Sequence, residues 1–139
     1  MDVRTFAHAT EDNDRVLKAL QNILPSEMVE TIVFRKTGVS GHHGNPIVLF
    51  EARVKDKKAA GAVFGKVCAG LGILEKELLS REIDQHLEKG NLYLRLDKQS
   101  AFLGKFKLGQ EDSIHLRVHF KRHMPEEVMA IVRGFGLIP

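Results

Sequence analysis

The stretch Ser113-Ile114-His115-Leu116-Arg117-Val118-His119-Phe120-Lys121 decides how the chain is read. Ile114, Leu116, Val118 and Phe120 fall on one side and His115, Arg117, His119 and Lys121 on the other. That period of two belongs to a strand with one buried face. Leu92, Leu94 and Leu96 alternate in the same way with Tyr93, Arg95 and Asp97. Two such strands predict a sheet covered on one side only, with Tyr93, Arg95, His115, Arg117 and His119 on the uncovered side.

The rest of the chain supplies the cover. Val16, Leu17, Leu20, Ile23 and Leu24 recur at three- and four-residue steps after a cluster of N-cap candidates at 10–14, predicting a first helix that Pro25 ends. Residues 2–9 predict a strand before it. Residues 30–37 and 46–54, rich in β-branched and aromatic side chains, predict a hairpin with a long glycine-containing connector over 38–45. Asp56 caps a helix over 57–71, and Gly72 breaks it from a second helix whose stripe is Ile73, Leu74, Leu78, Ile83 and Leu87. A short helical turn or a hairpin bend at 97–104, a short strand at 105–108 and a helix opened by Pro125 with Glu126 and Glu127 complete the order. The expected architecture is a single α+β domain over 1–139, mainly antiparallel, with helices on one sheet face.

Composition bounds the function. The chain has 139 residues, 43% hydrophobic and 28% charged, which suffices for one core without metals or disulfides. No apolar run reaches the roughly 18 residues of a membrane-spanning helix, and the one cysteine, Cys68, cannot form an internal disulfide. The expected setting is the cytoplasm, without membrane contact. The net charge of +3 is unevenly spread: residues 35–74 hold 7 basic and 2 acidic side chains and 89–123 hold 8 and 3, whereas 1–34 and 75–88 are acidic. Two basic segments separated by acidic ones predict a protein with a positive and a negative side.

Catalytic and metal chemistries find little support. His115, His119 and His123 are spaced for a helix but lie in a strand reading, where rings four residues apart are separated by about 13 Å. Cys68 sits in an apolar helical stretch, and neither a phosphate-binding Gly-Lys-Ser/Thr loop nor a Gly-x-Ser-x-Gly turn occurs. No enzyme activity and no cofactor are expected. What remains is phosphate-binding capacity: Arg35, Lys36, Arg53, Lys55, Lys57 and Lys58 around the hairpin, and Arg95, Lys98, Lys105, Arg117 and Lys121 in the second basic segment. Such side chains neutralise phosphates, and arginine, tyrosine and histidine planes stack on bases. In the connector, Gly44-Asn45-Pro46 reads as a turn, while His42 and His43 have two readings, polar loop residues or RNA contacts. Asp97 reads as a helix cap that leaves Lys98 exposed for contact, or as a partner of Arg95.

Four stretches carry a family resemblance: Phe6-Ala7-His8-Ala9-Thr10-Glu11-Asp12, Gly41-His42-His43-Gly44-Asn45-Pro46-Ile47, Leu92-Tyr93-Leu94-Arg95-Leu96-Asp97-Lys98-Gln99 and Ala101-Phe102-Leu103-Gly104-Lys105. With them the chain resembles small archaeal proteins described as RNA-binding or predicted exosome-associated subunits. Their fold is similar to that of the large-subunit ribosomal protein L-five, which contacts 5S ribosomal RNA. The resemblance implies a non-catalytic RNA-binding module tied to RNA processing or the ribosome, with structured RNA and exosome proteins as partners. A protein-interaction subunit without RNA contact, docking through its acidic helix or as a homodimer, is the alternative.

Overall fold

The computed structural model describes residues 1–41, 44–121 and 124–139. The elements run β1 (Asp2–Ala7), α1 (Asn13–Asn22), β2 (Arg35–Ser40), β3 (Pro46–Arg53), α2 (Lys57–Gly70), α3 (Ile73–His86), β4 (Leu87–Glu88), β5 (Asn91–Asp97), α4 (Lys98–Phe102), β6 (Ser113–His119) and α5 (Pro125–Gly134). The strands form one sheet in the order β2-β3-β1-β6-β5-β4, and every neighbouring pair is antiparallel. The α+β class follows from the sequence as expected.

Side-chain alternation sorts the sheet into two faces. Val3, Phe50, Leu92, Leu94, Leu96, Ile114 and Leu116 point inward and are almost wholly buried. They pack with Leu20 of α1, Val63, Phe64 and Val67 of α2, Leu79 of α3, and Val132 of α5. Fully burying one such leucine, isoleucine or phenylalanine contributes about 2 kcal/mol, so this interface is where the stability lies. Local caps follow the sequence: Asp12, Asp56 and Asp97 accept backbone N–H bonds from Asp14, Ala59 and Ser100 at the starts of α1, α2 and α4. Gly70 is required by a close approach, since a Cβ there would lie 2.1 Å from the Phe106 ring.

Several expectations are corrected. The hairpin strand predicted at 30–37 begins at Arg35, and the turn after the 3₁₀ segment Ser26–Met28 takes up the β-branched run before it. Gly38, Val39 and Ser40, read as connector, belong to β2 and pair with Val48, Ile47 and Pro46. The predicted strand at 105–108 reduces to single bridges, Phe106 to Leu71 and Leu108 to Leu96. Helix α3 is rotated from its predicted stripe: Leu79 and Ile83 are buried, whereas Ile73, Leu74 and Leu78 are exposed by 77%, 80% and 44%. The helix also ends earlier, because Leu87 and Glu88 pair with Leu92 and Asn91 as a short edge strand.

Candidate nucleic-acid interface

Opposite the helices the sheet is open, and pairing register fixes which side chains meet there. One row crosses five strands: Arg35 on β2, Glu51 on β3, Arg4 on β1, His115 on β6 and Arg95 on β5. The adjacent row carries Arg53 on β3, Asp2 on β1, Arg117 on β6 and Tyr93 on β5. With strands about 4.8 Å apart, the guanidiniums within a row recur at about 10 Å and the long row spans about 19 Å. These residues, with Lys55 and Val33, line a concavity of about 960 Å³. Six of its lining side chains are cationic, Arg4, Arg35, Arg53, Lys55, Arg95 and Arg117, against the two carboxylates Asp2 and Glu51.

The carboxylates act as spacers. Asp2 bridges two guanidiniums, accepting from Arg53 Nε at 2.9 Å through Oδ1 and from Arg117 through Oδ2. Burial pushes the Asp2 carboxyl upward, but the hydrogen bonds and charges of Arg53 and Arg117 outweigh it and hold it below the usual range. Glu51 is paired with Arg35. Burial, then the charges of Arg95 and Arg4, lower the pKa of His115 and favour its neutral form. Tyr93 stands 40% exposed beside Arg117, with its ring available for stacking.

The predicted site residues divide accordingly. Arg35, Arg53, Lys55, Arg95 and Arg117 come together on the open face. Lys36 does not: as the next residue along β2 it turns to the other face, its Nζ 5.5 Å from the centre of the Phe50 ring. Lys57, Lys58, Lys105 and Lys121 are exposed but do not line the concavity. His42 and His43, and likewise Arg122 and His123, lie outside the described residues. Lys98, expected as an exposed contact, is corrected outright. It is 2% exposed, and its ammonium is held by Glu11 at 2.8 Å, Asp112 at 2.7 Å and the Phe6 carbonyl at 2.8 Å. Asp97 is the cap of α4 rather than the partner of Arg95, whose Nη1 donates to the Gln110 carbonyl at 3.2 Å. Arg4 was missed, although its signal was present: in residues 2–7, Val3, Thr5 and Ala7 alternate with Asp2, Arg4 and Phe6.

Two further features bear on chemistry. His8, Glu11 and Asp112 converge closely enough to share a cation, and the Lys98 ammonium already bridges both carboxylates. Cys68 is buried in the core, where desolvation pushes its thiol up to about 12 and makes it a poor nucleophile.

The fold is thus an open-faced antiparallel α+β domain, with helices on one side of the sheet and an arginine-rich concavity on the other. The chain is a member of the RNA_binding family, whose model, described as RNA binding, matches residues 1–120. It is 33% identical over 135 residues to RNA-binding protein PAB1135 of Pyrococcus abyssi, covering 95% of this chain and 87% of that protein. Among solved structures it is similar to SSO0741 of Sulfolobus solfataricus, with a TM-score of 0.77, 25% identity and 96% of each chain covered. It is also similar to the DUF54 protein Mth689 of Methanothermobacter thermautotrophicus, with a TM-score of 0.76, 26% identity and 96% and 94% coverage.

Proposed function

We propose that this protein binds structured RNA without catalysis, seating the phosphate backbone on the open sheet face. The observation that carries this is the pair of cross-strand rows in which guanidiniums alternate with a carboxylate or an imidazole. Arginine forks suit phosphate oxygens and also stack on bases, and a single exposed tyrosine favours recognition of shape over base sequence. Family membership and the name of the Pyrococcus relative support the same partner. From the motif resemblance we further propose a role in RNA processing, beside the exosome or on ribosomal RNA.

The test is the affinity for an RNA hairpin measured against salt. Four to six phosphate contacts give a slope of log K on log salt of about −3 to −5, with about −0.7 to −0.9 per contact. A flat dependence, or no binding at low salt, contradicts the proposal, and cleavage of the hairpin would contradict its non-catalytic part.

A second reading, docking of another protein, is favoured by the exposed Ile73, Leu74 and Leu78 in the first turns of α3. That helix packs on the covered side of the sheet, so protein and RNA would not compete for one surface. Sedimentation of the pure protein tests the homodimer version: a concentration-dependent dimer supports it, and a monomer at all concentrations excludes it.

A further inference from the structure

Resting on the RNA reading but testable apart from it, the centre of the open face supports a more specific statement. Arg4, His115 and Arg95 are direct cross-strand partners on β1, β6 and β5. Cβ atoms so paired lie about 5 Å apart, which puts both guanidiniums within reach of an anion above the ring. The other polar and charged groups around His115 are Asp2 on β1, Tyr93 and Asp97 on β5, Arg117 on β6 and, beyond Arg4, Glu51 on β3. Each carboxylate is engaged elsewhere: Asp2 with Arg53 and Arg117, Glu51 with Arg35, Asp97 with the Ser100 amide and hydroxyl. Among the described residues, neither Arg4 nor Arg95 forms an ion pair. Arg4 and Arg95 are exposed and His115 is half-buried, all three lining the open concavity, so solvent and ligand reach the row directly.

We propose that the Arg4–His115–Arg95 row is a phosphate seat in which His115 takes up a proton as the phosphate binds. In the free protein the two guanidiniums oppose a third positive charge between them. A phosphate lying over the row reverses that field, offsets the arginines, and gives the imidazolium an oxygen to donate to. By linkage, RNA affinity then rises as pH falls through the His115 pKa of the complex and levels off below that of the free protein. Each unit by which the bound phosphate raises this pKa corresponds to about a tenfold difference between the two plateaus.

The experiment follows the His115 ring by NMR from about pH 8 to about pH 5.5, alone, with sulfate, and with an RNA hairpin, since neither sulfate nor internal phosphodiesters titrate in the histidine range. The expected result is an upward shift of the His115 pKa with both ligands. The same measurement on R4Q/R95Q should show no shift, and H115Q should bind RNA with an affinity that no longer rises toward low pH. An unmoved His115 pKa at saturating RNA overturns the seat while leaving the RNA reading intact. A shift with sulfate but no RNA binding at any pH leaves the seat standing and removes the RNA reading.

Discussion

Arg95 near the end of β5 and Lys98 at the start of α4 stand three residues apart, and their charges are spent in opposite ways. Lys98 is sealed in a corner between Glu11, Asp112 and a main-chain carbonyl, where it joins α4 to the β1–α1 connection and the approach to β6. Arg95 lies on the open face among other guanidiniums and donates to the Gln110 carbonyl, with no carboxylate partner among the described residues. A basic residue is thus a stability element where carboxylates enclose it and, in the proposed function, a binding element where they are engaged by others. Counting cations along the chain does not separate the two.

The comparison is broken most strongly by removing the open-face charges. R4Q/R95Q/R117Q should weaken RNA-hairpin binding on the order of 100-fold at low salt and reduce the salt slope by about 2–3. Urea unfolding should move by less than about 1 kcal/mol, since these side chains are exposed. An unchanged slope would place the RNA elsewhere. Lys98→Met reverses the pattern. It leaves Glu11 and Asp112 without their cation, and because both are partly exposed the expected loss is about 2–3 kcal/mol, below the range for a fully buried pair. Its denaturation midpoint should fall while RNA affinity, measured on the folded protein, stays the same.

Smaller effects sharpen the boundary of the site. K57Q/K58Q alters two exposed lysines at the start of α2, outside the concavity, and should change affinity by less than about threefold through general electrostatics. A loss equal to that of the arginine variant would extend the interface around the β3–α2 corner. Asp2→Asn gives the smallest effect, on stability. The Asp2 carboxyl is held below its unfolded value, so the stability it contributes is present above about pH 4 and is lost as pH falls through its folded pKa. The variant should therefore be slightly less stable near neutrality, by under about 1 kcal/mol, and lose less on acidification in pH-dependent urea curves.

Period-two patterns made the sheet faces legible: Tyr93, Arg95, His115 and Arg117 fell on the open side as their alternation requires, and the same rule applied to residues 2–7 would have added Arg4. Lys36 shows the converse, since adjacency to Arg35 in sequence means opposition across a strand. Lys98 was not legible, because its carboxylates come from positions 87 residues before and 14 after, and only the assembled fold brings them together. Helix α3 was misread for a related reason. Its apolar residues allow more than one stripe, and the neighbours that select Leu79 and Ile83 are distant in sequence. The Asp2 bridge depends on the register of β3, β1 and β6, which no local pattern fixes.

The most direct test of the central claim is a backbone and side-chain chemical-shift map of the protein titrated with an RNA hairpin. The account predicts the largest changes at Arg4, Tyr93, Arg95, His115 and Arg117, with α2, α3 and α5 nearly silent. Changes concentrated on the helices, with the open face unmoved, would contradict it.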